Sequence, residues 1–407
     1  MMKKILVIFL NVLIWTGCCT GMAIDQPISS HHHEVSGSSD CNAIDITCAT
    51  IVNATLDKND LLHLVWIANG HLLYGQSIDF GKSISHIHDL ADHGKSLDSG
   101  TDARPQIVIN EKQQILITYA FFKDNKWNAQ INLIKSLDGG ESFSTPKSFL
   151  PTRVSERFPS MMMDSSSRVH MVWIDKYLIN EKRVAGKNAL GGSIAYSYSD
   201  DYGNRFVEPK IINESSCECC HIAMAQNGQD GLELAYRGIL EGGVRDHVIQ
   251  RISATQISEV NRVADDQWKT DVCPHQGPTI AVDGLGRTHV VWYTMGDNRH
   301  GVYRAHTVGQ GNQFTMPIKV GSEHVQVSRP NLVSVGDQLW LVSEQFDGQN
   351  TNIVLQTSND NGDHWEKEKI IAATQGYADH PLLIVRNKVV YLSWFSTEFG
   401  YQFIKLN

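Results

Sequence analysis

The hydrophobic residues of this chain fall into many short runs, which glycine, aspartate and asparagine separate. Within most runs apolar and polar positions alternate and β-branched residues are common, which predicts strands. Several runs follow a proline and open a unit that repeats roughly every 50 to 60 residues, which is typical of repeat architectures. The seven first strands that this pattern predicts start near Ala49, Arg104, Arg157, Cys219, Gly277, Arg329 and His380.

A second and a third apolar run follow each first strand after short turns. Several of the second runs end in a tryptophan at the same place in the unit: Trp66, Trp173, Trp292 and Trp394. A large apolar residue at a fixed position of a repeat is typical of packing between neighbouring units, so we expect these side chains in the core.

A turn pattern of Ser, any residue, Asp, any residue, Gly and a later aromatic recurs after the third runs. The matches are SLDGGESF at Ser136–Phe143, SDDYGNRF at Ser199–Phe206, SNDNGDHW at Ser358–Trp365 and the weaker SIDFGKSI at Ser77–Ile84. The aspartate can accept hydrogen bonds from backbone N–H groups of its own loop, and glycine supplies a position with positive φ. We therefore expect structural roles for Asp79, Asp138, Asp201 and Asp360.

These turns resemble the Asp boxes, or BNR repeats, of the sialidase-type β-propellers. The resemblance implies an all-β propeller of four-stranded antiparallel blades. Seven first strands favour seven blades, and six, the number in true sialidases, is the alternative. The last unit has room for about three strands before Asn407. The segment before Ala49 is the candidate for the missing strand that closes the ring.

Length and charge narrow the classes of function. A propeller accommodates all 407 residues in one architecture, because its blades repeat radially. The formal net charge is −9, with acidic and basic residues interspersed and no basic stripe, which excludes a nucleic-acid partner. We expect a monomer that binds a glycan or another anionic small ligand.

The N-terminus has the features of an export signal: Lys3 and Lys4 precede the apolar run Ile5–Ile14, which is too short to span a membrane. Two processing sites compete. Cleavage after Ala23 would remove residues 1–23, whereas a lipobox would remove residues 1–17 and tether the chain to a membrane through a lipid on Cys18. Both predict an exported protein, either periplasmic, anchored in the outer membrane or secreted. Residues 24–40 are predicted to be a flexible linker, and residues 41–407 the propeller.

The densest unusual chemistry lies in the fourth and fifth units. The segments are SSCECCH at Ser215–His221, Tyr236-Arg237, Arg245-Asp246, Trp268 and VCPHQGP at Val272–Pro278. This order resembles a group of exported bacterial BNR-repeat proteins labelled exo-α-sialidase-like, although His221 stands where a proline is expected. The resemblance implies a glycoside hydrolase that acts on an anionic glycan.

The cysteines have two interpretations. In an oxidising compartment we expect disulfides, one joining Cys273 to Cys217, Cys219 or Cys220, and one between Cys41 and Cys48 at the seam of the ring. The alternative is a copper or zinc site of Cys219, Cys220 and Cys273 with His221 or His275. Apart from that alternative, the sequence indicates no cofactor.

Arginines at strand ends form the candidate ligand site. If the first strands all run in one direction, their starts meet at one mouth of the channel, where guanidinium groups suit a carboxylate. The predicted ligand-binding residues are Arg104, Arg157, Arg237, Arg329, His275 and Tyr236. Salt bridges between blades are the competing interpretation of the arginines.

Catalytic residues are not fixed by any motif. By resemblance to sialidases, Tyr401 is a candidate nucleophile with Glu233 or Glu398 as its partner, and Asp102 or Asp175 a candidate acid. Three functions therefore stay open: an exo-sialidase-type hydrolase, a non-catalytic propeller that binds glycan or protein, and an envelope protein that handles metal through its cysteines.

Overall fold

A computed structural model describes residues 41–151, 154–187, 189–228, 231–253, 256–270, 272 and 275–407. In this part of the chain, 27 strands form seven antiparallel sheets, and these are the blades of a propeller. The prediction of seven blades is confirmed, and the alternative of six is wrong. The predicted signal peptide and linker lie outside the described residues. Among the described residues, no helix combines the length and the hydropathy that a membrane-spanning segment needs.

The blades follow one another along the chain, and the strands of each blade pair in chain order. Blade one contains β1 (Ile51–Leu56), β2 (Leu62–Ala68), β3 (His71–Ser77) and β4 (Ser85–Asp92), and blade two contains β5 (Gln106–Ile109), β6 (Ile115–Phe122), β7 (Ala129–Ser136) and β8 (Lys147–Ser148). Blade three contains β9 (Glu156–Met163), β10 (Val169–Asp175), β11 (Gly192–Ser199) and β12 (Lys210–Ser216). Blade four contains β13 (Ala223–Asn227), β14 (Gly231–Arg237), β15 (His247–Ile252) and β16 (Asn261–Arg262). Blade five contains β17 (Thr279–Val282), β18 (Thr288–Gly296), β19 (Arg299–His306) and β20 (Ile318–Lys319). Blade six contains β21 (Gln326–Val335), β22 (Gln338–Phe346), β23 (Thr351–Ser358) and β24 (Lys369–Thr374). Blade seven contains β25 (Leu382–Arg386), β26 (Val389–Ser396) and β27 (Gly400–Lys405). The helices are α1 (Tyr177–Val184) and the 3-10 turns Ile46–Cys48, Gly94–Ser96 and Glu241–Gly243.

The first strand of each blade lines the axis of the ring. These strands, β1, β5, β9, β13, β17, β21 and β25, contact one another in sequence, and β25 contacts β1 to complete the circle. Since all seven are innermost and each enters from the preceding blade in the same way, their N-terminal ends gather at one mouth of the channel.

The seam between the last and the first blade differs from the predicted closure. Blade seven has three strands, and no strand from the described residues before β1 joins it. That segment instead forms a 3-10 turn at Ile46–Cys48, because Asp45 accepts a hydrogen bond from the Thr47 N–H at 2.9 Å and a disulfide joins Cys41 to Cys48. The predicted disulfide is thus confirmed, whereas the fourth strand predicted from this segment is not found there.

The repeated tryptophans pack between blades, as the sequence predicts. All of them are fully buried, each within a cluster of apolar side chains from adjoining strands: Trp66, Trp173, Trp292 and Trp394. Trp173, for example, meets the ring of Phe149 edge-on at a centroid distance of 5.0 Å. These contacts hold the blades in fixed positions, and the blades in turn position the channel mouth.

The Ser-x-Asp-x-Gly segments all form one hydrogen-bonded turn, the weaker match included. In the second blade, Ser136 Oγ donates to Asp138 at 2.8 Å, the Gly140 N–H donates to Ser136 Oγ at 2.8 Å, and the Ser142 N–H donates to Asp138 at 3.0 Å. The same bonds recur at Asp79, Asp201 and Asp360. Gly140 has a φ of +95°, and a Cβ there would lie 2.2 Å from the Tyr74 hydroxyl, so this position requires glycine.

A second repeated feature, an aspartate–histidine pair in the turn between the first and second strands of three blades, was not predicted from the sequence. One oxygen of an aspartate accepts two backbone N–H groups of the turn, and the other faces a histidine six positions later. The pairs are Asp57 and His63 at 3.6 Å, Asp164 and His170 at 3.0 Å, and Asp283 and His289 at 2.9 Å. Burial lowers the pKa of all three histidines, that of His289 to about 4, so the rings are neutral and serve the fold.

Candidate functional site

A cavity of about 350 Å³ lies at the mouth where the first strands begin. All seven blades contribute lining residues, from Asn53 in the first to Leu382 in the seventh. Its polar lining includes Asp102, Arg104, His221, Gln276, Arg329 and His380. A concave site with a few convergent polar groups is the usual form of a small-ligand site, and this one combines arginine, histidine and aspartate.

Arg104 is held rigidly at this mouth. Its guanidinium makes two hydrogen bonds to the carboxylate of Asp379, at 2.8 and 3.0 Å, and also donates to the carbonyl groups of Val52 and His380. Asp379 in turn accepts the N–H groups of Val52 and His380, at 2.8 and 2.6 Å. This ion pair therefore uses most of the donors of Arg104 and joins the first, second and seventh blades.

Arg329 is less tightly paired. It lies at a bulge of β21, where its backbone has a φ of +50°, and its side chain is 25% exposed. Its contacts are long: 3.3 Å to the carboxylate of Glu344 and 3.5 Å to the carbonyl of Ala378. Burial raises the pKa of Glu344 to about 7, against the attraction of Arg329. Because Glu344 is only partly ionised near neutral pH, it neutralises the positive charge of Arg329 only in part. The remaining charge is available to an anionic ligand.

His221 carries a second positive charge in the cavity. Its Nδ1 lies 2.9 Å from the carboxylate of Asp102 and its Nε2 lies 2.8 Å from the carbonyl of Pro278. Both partners are acceptors, so both ring nitrogens must donate, and the ring is an imidazolium. Burial opposes this charge, but Asp102 and the Pro278 carbonyl raise the pKa of His221 overall, while His221 helps to lower that of Asp102 despite its burial.

The other predicted ligand residues do not line the cavity. Arg157 pairs with Asp98, at 2.5 and 3.0 Å, and its guanidinium lies over the ring of Phe158. Tyr236 is buried between the third and fourth blades, where it hydrogen-bonds to other side chains. Arg237 is buried against Trp268.

His275 is half-buried, and burial lowers its pKa while the charge of Asp102 raises it. It therefore lies within electrostatic reach of the cavity without lining it. The mouth thus brings together Arg104, Arg329 and Asp102 of the predicted site residues.

The remaining catalytic candidates lie on the second or third strands of their blades or in a loop. Tyr401 on β27 bonds to Ser393 at 3.0 Å, and Glu233 on β14 bonds to Arg251 and Asn227. Glu398 accepts the Gln375 N–H at 3.0 Å, and Asp175 accepts that of Tyr177 at 2.7 Å. None of these four side chains lines the cavity, because only the starts of the first strands reach the axis.

Three residues of this site were not predicted from the sequence: Asp379, His380 and Glu344. Asp379 and His380 stand directly before the proline that opens the last predicted strand, where the second, third and sixth blades place an arginine. Glu344 is a charged residue within a buried second strand. A charged residue in a strand that is buried on both faces was the signal that could have identified it.

The cysteine cluster lies beside this mouth. Cys217, Cys219 and Cys220 are each 2% exposed, and Cys217 Sγ lies 3.1 Å from Cys219 Sγ. Hydrogen bonds with the neighbouring thiols, and the charges of Arg237 and Arg245, lower the pKa of Cys217 well below the usual thiol value. Cys273 lies outside the described residues, and so does its predicted disulfide. His221 bonds to Asp102 and Pro278 instead of joining the thiols.

No protein-family model and no curated protein matches the chain. Among solved structures, it is similar to an ulvan lyase of polysaccharide lyase family PL25, with a TM-score of 0.56 and 12% identity over 87% of this chain and 90% of that one. It is also similar to the polysaccharide lyase Uly1, with a TM-score of 0.54 and 9% identity over 90% and 91% of the two chains. A protein of unknown function from Dyadobacter fermentans gives a TM-score of 0.52 at 13% identity, over 74% of this chain and 92% of that one. At these identities the likeness shows the fold alone.

Proposed function

We propose that this protein is an exported propeller that binds an acidic glycan at the channel mouth. The observation that carries the proposal is the cavity itself, where Arg329 and the His221 imidazolium face a space lined by all seven blades. Export is supported by the Cys41–Cys48 disulfide, since disulfides persist in oxidising compartments. One structurally similar protein, the PL25 ulvan lyase, has been solved bound to -[GlcA(1-4)Rha3S]-.

The charges of the site favour an anion over a neutral sugar. Asp379 neutralises Arg104 and Asp102 neutralises His221, whereas the carboxyl of Glu344 balances Arg329 only in part near neutral pH. A carboxylate or sulfate of a ligand would complete the pairing of Arg329 with a planar, bidentate contact. Bound sugar hydroxyls would then meet Gln276 and His380, which also line the cavity.

Cleavage of the bound glycan, in the manner of an exo-α-sialidase, is a second candidate function. It is favoured by His221, a titratable group with a raised pKa that lines the cavity. In this scheme the Nε2–H of His221 would turn from the Pro278 carbonyl and donate its proton to the leaving group, while ionised Asp102 would hold the Nδ1–H. Tyr401, the candidate nucleophile, bonds to Ser393 and does not line the cavity, so binding without cleavage is the primary proposal.

Calorimetry with defined oligosaccharides tests the proposal. Uronate-containing, sulfated and sialylated glycans are compared with neutral glycans of the same length, and fluorogenic sialosides report cleavage. We expect an acidic glycan to bind, and Arg329→Lys to weaken it about tenfold or more because an ammonium cannot reproduce a bidentate contact. Arg168→Lys is the matched control, because Arg168 pairs with exposed Asp200 outside the cavity. Equal binding of neutral glycans, or normal binding by Arg329→Lys, would refute the proposal.

A further inference from the structure

Three thiols are buried together in the connection between β12 and β13. The Sγ atoms of Cys217, Cys219 and Cys220 all lie within 4.8 Å of one another. Two thiolates bound to one metal ion through bonds of about 2.3 Å stand at most about 4.6 Å apart. The three sulfurs are therefore close enough to share an ion after only small side-chain adjustments.

The backbone holds this connection in place before any ion binds. The Cys217 N–H donates to the carbonyl of Arg237 at 2.9 Å, and Ser216 forms a bridge with Gly238. The segment is thus docked on the end of β14 instead of lying free on the surface. A site with its ligands already positioned loses little conformational entropy on binding.

The surroundings of the thiols require a negative charge. Arg237 is 1% exposed, and its Nε and Nη1 have no hydrogen-bond partner among the described residues. Within the same residues no carboxylate forms an ion pair with it, and its guanidinium lies over Trp268 at 3.9 Å. Arg245 Nη1 lies 3.6 Å from Cys217 Sγ. A buried cation without an anion is costly, and a cluster of thiolates at Cys217 and its neighbours would supply the negative charge.

A buried histidine lies in this region without belonging to the group of three thiols. His247 pairs with Arg237 across β14 and β15 and is 1% exposed. Neither of its ring nitrogens has a hydrogen-bond partner in the part of the chain that the structure describes. The three sulfurs are therefore the only members of the candidate ligand group among the described residues.

We propose that Cys217, Cys219 and Cys220 bind one copper(I) ion as three thiolates. Thiolates are soft ligands that select copper(I) or zinc, and structural zinc takes four ligands. Copper(I) is satisfied by three sulfurs, which is the number gathered here. The complex carries two net negative charges, and Arg237 and Arg245 supply two compensating positive ones.

The test uses the full chain, reduced and handled without oxygen, and titrated with the copper(I)–bicinchoninate complex. We expect one copper ion per chain to leave the coloured chelator complex. Cys219→Ser should weaken binding more than about 100-fold, the upper end of what loss of a mere outer-shell partner causes. The matched control is the double variant Cys41→Ser/Cys48→Ser, which removes the pair of cysteines at the seam of the ring and should leave binding unchanged.

X-ray absorption on the unmodified chain keeps the proposal testable if Cys219→Ser fails to fold. Three sulfur neighbours at about 2.3 Å are the expected coordination shell. Tighter binding of zinc than of copper(I), binding that requires Cys273, or no stoichiometric binding would overturn the proposal. A disulfide within the cluster as the main form in freshly isolated protein, found by mass spectrometry of non-reduced peptides, would also overturn it.

Discussion

The guanidinium of Arg329 lies 3.3 Å from the carboxyl of Glu344, which is on the adjacent strand of the same blade. Glu344 is 6% exposed, and burial raises its pKa to about 7. The charge on this pair therefore changes within the physiological pH range. The pair links the acid–base behaviour of a buried carboxyl to the one arginine of the cavity that is only loosely held.

Replacing Glu344 with Gln should change how stability depends on pH. The folded pKa of about 7 exceeds the ordinary value of 4.5, so the folded protein binds an extra proton between these limits. Protonation of this carboxyl should therefore contribute on the order of 3 kcal/mol of stability at acidic pH, which is lost as the pH rises from 4.5 through 7. In Glu344→Gln this loss should be absent, as measured by urea unfolding at several pH values. An unchanged pH profile in the variant would contradict the assignment.

Affinity for an acidic ligand should fall as pH rises from about 6 to about 8. Ionised Glu344 competes with the ligand for Arg329, and the raised pKa of His221 keeps its ring charged beyond the ordinary value of 6.5. Calorimetry of the wild type across this range measures the effect. In Glu344→Gln most of the fall should disappear, whereas affinity that rises with pH in the wild type would show that Arg329 does not bind the anion.

His289→Gln should make the fold less sensitive to acid. His289 has a folded pKa of about 4, below its ordinary 6.5. Between these pH values the ring is therefore protonated in the unfolded chain and neutral in the folded chain. The neutral ring of His289 should therefore contribute on the order of 3 kcal/mol of stability above pH 6.5, which is lost as the pH drops from 6.5 to 4. Denaturant unfolding between these pH values tests it. His300→Gln is the control, because His300 is exposed and should leave the profile as it was.

Alanine variants of two adjacent aspartates in one turn should test whether the turn serves the fold or the binding of ligand. Asp201 accepts the Arg205 N–H at 2.8 Å and the Ser199 hydroxyl at 2.7 Å, whereas Asp200 bonds to the side chain of Arg168. Asp201→Ala should lower the melting temperature by several degrees, and Asp200→Ala should lower it little. Both should bind glycan normally well below their melting temperatures. Loss of binding in a stable Asp201→Ala protein would assign this turn a functional role.

Local patterns predicted the fold, because each blade is built from contacts close in sequence. The turn at Asp138 and the strand that starts after Arg104 depend on residues within a few positions of one another. The regular spacing of Asp283 and His289, six residues in each of three blades, was equally visible in the sequence and was overlooked.

The site was only partly predictable, because its pairs join distant parts of the chain. The sequence located Arg104 and Arg329 at strand starts, but not Asp379, which lies 275 residues beyond its partner Arg104. Nor did it show that Arg157 is paired with Asp98, or that Tyr401 bonds away from the axis. Such pairings depend on the angle between blades, which no local pattern contains.

Individual hydrogen bonds hold the seam closed beside the three-stranded last blade. In the described chain, no strand is shared between the two ends of the ring, so side chains and backbone atoms fasten them: Asp379 holds the Val52 N–H, and the Tyr377 hydroxyl donates to the Thr50 carbonyl at 2.7 Å. Each of these contacts spans 327 residues, so each requires nearly the whole chain to be arranged first. We therefore expect the circle to close last when the protein folds. We also expect the ring to open first where blade seven meets blade one, which would expose the amides there to hydrogen exchange.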